Sequence, residues 1–157
     1  MIKKQYLKEI KISGTQSLGG ARNVKQDVSK IQSWLNLYAR TDQRSGTATG
    51  IDGDFGPATE LAVKSFQKLK KLEQTGKVDT SLFDMLCQPM ADAFETIPRG
   101  RNLRELIVNA AMLHLASSAF ELTIKGQSNS GPWVRSYMDG WNVSEIGFGA
   151  WAIGGSW

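Results

Sequence analysis

The sequence predicts a mainly α protein built in two parts, an N-terminal three-helix bundle followed by a second helical portion. Three observations predict this. Ala58, Leu61, Ala62, Phe66 and Leu69 recur at helical spacing behind Pro57, and so make one apolar face. Val24, Val28, Ile31, Leu35 and Tyr38 form a second such stripe upstream. Leu103, Leu106, Ile107, Ala110 and Leu113 form a third downstream.

Four segments follow from these signals: a basic arm at 1–22, the bundle at 23–90, a linker at 91–102 and the second portion at 103–157. The arm carries Lys3, Lys4, Lys8 and Lys11 and reads as a solvated tail, with a short strand over Tyr6–Ile12. The first helix spans Val24–Tyr38, with Asn23 as its N-cap and Gln26 at the capping-box position. The stretch Thr41–Gly50 is polar and contains glycine, which predicts an irregular loop.

Ile51-Asp52-Gly53-Asp54-Phe55-Gly56 is a tight acidic turn leading into the second helix. Gly53 supplies the positive φ of such a turn. Pro57 suits the first helical position, where its missing N–H has no partner to lose. The second helix spans Pro57–Lys71 and places Lys64, Lys68 and Lys71 on one face, which reads as a solvated charged face before it reads as a nucleic-acid patch. A third helix spans Thr80–Leu86 with Asp79 as its cap. Thr75-Gly76-Lys77-Val78-Asp79 echoes Thr49-Gly50-Ile51-Asp52, each a turn that launches a helix.

Pro89, Pro98 and Gly100 break the chain after the bundle. A fourth helix starts after Asn102, with Glu105 at the capping-box position, and runs to about Leu122. Gly126–Gly131 reads as a polar loop, and Pro132 starts a short helix that ends at Met138. Four of the five tryptophans fall from Trp133 onward. That cluster is either a sugar-stacking platform or the opening of a larger core.

Composition narrows the chemistry. The 157 residues carry a formal net charge of +4, which suits anionic surroundings such as wall polymers, phospholipid or nucleic acid. One cysteine, Cys87, and one histidine, His114, exclude an internal disulfide and a Cys/His zinc site, and nothing in the sequence calls for a metal or cofactor. Cys87 reads as a small buried hydrophobe and His114 as a packed or surface residue. No stretch has the roughly 20 apolar residues of a membrane span, and no apolar run of signal-peptide length follows Lys3 and Lys4.

Asp52-Gly53-Asp54-Phe55-Gly56-Pro57-x-Thr59, followed by Ala62-Val63-x-x-Phe66-Gln67, resembles the core of the peptidoglycan-binding domain of bacterial and phage cell-wall hydrolases. Val28, Ile31, Gln32, Leu35 and Asn36 resemble its first helix, and Thr75–Asp79 with Leu82, Phe83 and Leu86 its last turn and helix. The loop Ala39–Gly50 is longer than that family's. The resemblance implies binding to the glycan strand or stem peptide of peptidoglycan, in a groove beside the acidic turn. Trp34, Asn36, Tyr38, Asp54 and Phe55 are the candidate contacts, and for Trp34, Tyr38 and Phe55 core packing is the competing role.

A second likeness follows the linker. Asn129-Ser130-Gly131-Pro132-Trp133-Val134, then Tyr137, then Trp151-Ala152-Ile153-Gly154, resembles the opening of a CHAP-type cysteine amidase or peptidase domain, which is a papain-like α+β fold. It implies an incomplete N-terminal portion of that domain at 103–157 and adds Asn129 to the candidate binding residues. Ala152 stands where that family has its nucleophilic cysteine, and alanine has no sulfur with which to attack an amide. Amide cleavage is therefore expected of a complete parent and not of this chain. The expected setting is the cell wall or periplasm, reached by holin-dependent release or by injection, with an immunity or inhibitor protein as a further partner if the protein is an effector. An active cysteine amidase and a small basic helical nucleic-acid binder are the alternatives.

Overall fold

The computed structural model describes residues 5–138. The chain is mainly helical. After a 3-10 turn at Gln5–Lys8 come α1 (Lys25–Thr41), α2 (Pro57–Leu69), α3 (Thr80–Glu95) and α4 (Leu103–Ala116), then the strands β1 (Leu122–Ile124) and β2 (Gln127–Ser130), and finally α5 (Pro132–Tyr137).

Helices α1, α2 and α3 bury the predicted stripes against one another. Val28, Ile31 and Leu35 of α1 meet Val63 and Phe66 of α2 and Phe83 and Leu86 of α3, all fully buried. Asp79 caps α3 as expected, its carboxylate accepting the Leu82 N–H at 2.8 Å. Asn23 does not cap α1. Its side chain instead bonds both backbone groups of Ser17, at 3.0 and 2.7 Å, and the N-cap position falls to Val24.

Helix α3 runs on to Glu95, past the expected end at Leu86, with Pro89 inside it. A proline in a helix leaves the carbonyl four residues back without its donor. Here that carbonyl belongs to Met85, and the Tyr38 hydroxyl donates to it at 3.3 Å. Residues 91–95 are thus helical, and the break before α4 is confined to 96–102.

The stretch preceding α1 is neither a free tail nor a strand. Tyr6 is buried and stacks on Phe94 at 4.7 Å between ring centroids. Gln16 pairs with Val78 in an isolated antiparallel bridge, each N–H donating to the other's carbonyl at 2.9 Å. Lys8 and Lys11 still point outward, so the segment's charge concealed its apolar contacts.

The second portion departs further from expectation. Helix α4 ends at Ala116, and none of its residues is buried. Asn102 caps it through the Glu105 N–H at 3.0 Å, while Glu105 reaches back to the Arg101 N–H at 2.9 Å. The expected polar loop at 126–131 instead contains β2, paired antiparallel with β1. Lys125 and Gly126 both have positive φ (51° and 78°), the geometry of a two-residue hairpin turn with the strands' own twist. Helix α5 starts at Pro132 as expected. Its Trp133 packs edge-on against Trp34 of α1 at 6.3 Å. Its Arg135 forms a two-bonded ion pair with Glu9 at 2.8 and 2.7 Å. Residues 5–22 and α5 thereby close over one end of the bundle.

Candidate functional site

Two buried glutamines build the site. Each is the residue after a core hydrophobe, Ile31-Gln32 in α1 and Phe66-Gln67 in α2. The Gln32 carbonyl accepts the N–H groups of Asp52 and Gly53 at 3.1 and 2.8 Å. Its amide donates to the Asp52 carboxylate, the Asp54 carbonyl and the Thr59 hydroxyl at 2.8, 2.9 and 3.0 Å. Gln67 repeats the arrangement. Its carbonyl accepts the Gly76 N–H at 2.9 Å, and its amide donates to the Thr75 hydroxyl at 2.8 Å and the Lys77 carbonyl at 3.3 Å.

The parallel extends to the glycines. Gly53 and Gly76 have φ of 80° and 68°, where an L side chain is strained. Each also lies against the preceding helix. A Cβ on Gly53 would sit 2.6 Å from Lys25 Cγ, and one on Gly76 would sit 2.7 Å from Glu60 Cγ. Each glycine stands four positions before the first residue of the helix it launches, Pro57 and Thr80. The turn echo in the sequence is therefore a structural repeat, and a helix-borne glutamine secures each copy. The sequence offered a signal for this, the recurrence of a core hydrophobe followed by Gln ahead of an x-Gly turn.

The acidic turn itself presents few groups to a ligand. Phe55 and Trp34 are 3% and 1% exposed, so both serve the core rather than a wall polymer. Trp34 lies beneath the N-terminal segment and donates its indole N–H to the Glu9 carbonyl at 3.3 Å. The Asn36 amide donates to the carbonyls of Gln32 and Thr49, both at 2.8 Å, and pins the long loop to α1. Tyr38 is half-buried and serves the Met85 carbonyl. The Asp52 carboxylate is occupied within the turn. A hydrogen bond from the Asp54 N–H (2.9 Å), with the Gln32 amide adding to it, holds it below the usual carboxylate range. Asp54 has an exposed side chain. Asn129 lies on β2 with φ of 53°, far along the chain from the turns.

The second turn is more open. Beside it lies a cleft of about 450 Å³, whose lining includes the polar residues Glu73, Thr75, Lys77, Asp79 and Ser81 and the apolar residues Leu72, Leu82 and Met85. Ser81 and Lys77 are exposed. A mixed lining of this size suits a small ligand carrying both hydroxyl or amide groups and an apolar face. None of these residues was among the contacts expected from the sequence, apart from their place in the turn.

Reactive groups are scarce among the described residues. Cys87 is 2% exposed, and burial, with Asp84 nearby, pushes its thiol up to about 12. A thiol so protonated is inert as a nucleophile. His114 shares a 2.8 Å hydrogen bond with the Tyr137 hydroxyl, and its burial lowers its pKa. Burial raises that of Tyr137 to about 12. The pair is an aromatic contact between α4 and α5, with no carboxylate among the described residues bonded to the ring. Lys64 of the cationic face pairs with Glu60 at 3.0 Å. No described helix is long and apolar enough to cross a membrane. Trp151 and Ala152 lie outside the described residues.

No curated protein and no solved structure matches the chain. Both stapled turns and the starts of the helices they launch lie in the stretch that does find a counterpart: residues 24–86 match the model of the family described as "Putative peptidoglycan binding domain".

Proposed function

We propose that this chain is the wall-targeting part of a cell-wall hydrolase, and that it holds peptidoglycan in the cleft beside the second turn. The family match over 24–86 carries the reading. The choice of cleft rests on availability. At the acidic turn the side chains of Asn36, Asp52, Phe55 and Trp34 are engaged inside the fold. At the second turn the exposed side chains of Lys77 and Ser81 border a cleft that also offers Leu72 and Met85, while the Thr75 hydroxyl and the Asp79 carboxylate are engaged inside the fold. Hydroxyl and amide groups of a sugar or stem peptide suit Lys77 and Ser81, and a sugar's apolar face or an alanine methyl suits Leu72 and Met85.

The segment from Leu103 onward is read as the opening of a cysteine amidase or peptidase unit of the CHAP type. The likeness at Asn129–Val134 and Trp151–Gly154 supports that reading. Ala152 supplies no thiolate, so binding without cleavage is the expected behaviour of this chain. Delivery by a holin or by injection, and an inhibitor protein as partner, belong to the same proposal.

Sedimentation with purified sacculi tests it. The chain should co-sediment with them and should release no new amino termini. Ser81→Arg, which places a long cation in the cleft from an exposed helix position, should weaken co-sedimentation at least about tenfold, roughly 1.4 kcal/mol. Asp54→Ala should leave it nearly unchanged. Strong dependence on Asp54 with none on Ser81 would move the site to the acidic turn. A chain that stays in the supernatant would overturn the reading altogether.

A further inference from the structure

A cleft of about 930 Å³ lies between residues 7–13, the start of α1 and Arg135 of α5. It shares no lining residue with the cleft beside the second turn. Four cations line it, Lys8, Lys11, Lys30 and Arg135, against two carboxylates, Glu9 and Asp27. Both carboxylates are committed inside the fold. Glu9 is 8% exposed and takes two hydrogen bonds from Arg135. Asp27 is 4% exposed and accepts from the Ser13 N–H and hydroxyl at 2.7 and 2.6 Å, with Lys30 beside it. Lys8 and Lys11 are exposed and pair with no carboxylate among the described residues. A ligand entering the cleft therefore meets an excess of positive charge, which a concave surface focuses. The excess is also held in place. The Lys30 ammonium donates to the Lys11 carbonyl at 2.8 Å, and the Glu9–Arg135 pair ties the same stretch to α5. The backbone that carries both lysines is thus anchored before any ligand arrives, which lowers the ordering cost of binding.

We propose that this cleft binds a phosphodiester polyanion without aromatic groups, a polyol phosphate chain in chemical class. Two exposed ammonium groups three positions apart suit a ligand with more than one negative charge. Phosphate suits them because lysine meets it as a point charge, whereas the forked guanidinium that best matches a carboxylate, that of Arg135, is already taken by Glu9. Among the described residues no aromatic side chain lines the cleft, so a nucleobase has no ring to stack on. Its apolar residues, Leu7 and Ile12, are half-buried and leave no exposed apolar face to enter a bilayer.

Equilibrium dialysis of the full-length chain against a soluble glycerol-phosphate hexamer tests this. Binding should be saturable at low ionic strength and weaken steeply as salt rises. Lys8→Gln combined with Lys11→Gln should weaken it at least about tenfold and flatten the log–log salt slope by roughly 1.5. Lys68→Gln combined with Arg104→Gln removes the same charge from exposed positions outside the cleft, and should leave the affinity within about twofold of the parent chain's. Gln26→Glu brings a negative charge to the cleft from an exposed position in the first turn of α1, where a carboxylate is tolerated by the helix, and it should weaken binding too. Equal losses in the two double variants would reduce the effect to net charge and overturn the proposal. So would a Gln26→Glu chain that binds as before, or a hexamer that does not bind at all. Tighter binding to a thymidylate hexamer would assign the cleft to nucleic acid instead, and binding to phosphatidylglycerol vesicles alone would assign it to a membrane surface.

Discussion

Gln32 and Gln67 show how single side chains position this site. Each replaces the missing backbone partners of a turn with one amide group, fully inside the fold. Gln32→Ala would leave the Asp52 and Gly53 N–H groups without their acceptor. An orphaned buried donor costs about 1–3 kcal/mol, so a loss near 3 kcal/mol in urea unfolding is expected, and a loss below about 0.5 kcal/mol would deny the staple its role. Phe66→Ala should cost roughly 3–5 kcal/mol, because a fully buried ring at the centre of three helices leaves a cavity that they cannot close. Tyr38 bears on the same scale. Tyr38→Phe removes the donor that stands in for the absent Pro89 N–H, and about 1 kcal/mol should be lost. The glutamine staples were legible only in part. A core hydrophobe followed by Gln is visible in the sequence, but what the amide reaches depends on turns 8 to 22 residues away. Trp34 and Phe55 could be read either as ligand platforms or as core, since aromatic residues serve both, and burial decides for the core.

At the scale of elements, the helices with strong caps and stripes were readable and the exceptions have identifiable causes. Pro57 and Asp79 start α2 and α3 where local chemistry says they should. Helix α3 outruns its expected end because a residue on another helix, Tyr38, satisfies the carbonyl that Pro89 frees; no local rule contains that contact. The β1–β2 hairpin was missed because Gln127-Ser128-Asn129-Ser130 is polar and lacks the usual strand alternation. The turn that launches α2 should also give the fold an acid limit. The Asp52 carboxyl is held low by the Asp54 N–H and the Gln32 amide. For Asp27, burial works the other way but is outweighed by hydrogen bonds from the Ser13 hydroxyl and N–H, with Lys30 beside it. A carboxyl whose pKa is depressed on folding stabilises above its unfolded value, near 3.9, and that contribution fades as pH falls through the folded value. The melting temperature should therefore be steady from neutrality down to about pH 5 and drop below about pH 4. Asp52→Asn should lower it at neutral pH and shrink the drop. An unchanged acid profile in Asp52→Asn would remove the turn from the explanation.

On the scale of the whole molecule, the bundle is not an isolated unit with loose ends. The Glu9–Arg135 ion pair joins residues that stand 126 apart in the chain, and ring contacts run from Tyr6 to Phe94, from Phe94 to Trp133 and from Trp133 to Trp34. A fragment limited to residues 23–90 should still be helical, because its three stripes pack on one another. It should nonetheless melt below the full-length chain with a red-shifted Trp34 emission, since residues 5–22 and α5 cover that ring. Equal stability with buried-type emission would mean that the covering segments add nothing. None of these long-range contacts could be read from periodicity, which reports which face is apolar but not what lies on it. On the proposed reading, the segment 24–86 takes a peptidoglycan fragment at the second turn. A titration of isotope-labelled protein with soluble muropeptides, followed by amide NMR, addresses it most directly. Saturable shifts are expected, centred on the amides of Thr75, Gly76, Lys77 and Ser81, with little change at Gly53, Asp54 and Phe55. Shifts centred on Gly53 to Phe55, or a spectrum unmoved at saturating muropeptide, would contradict it.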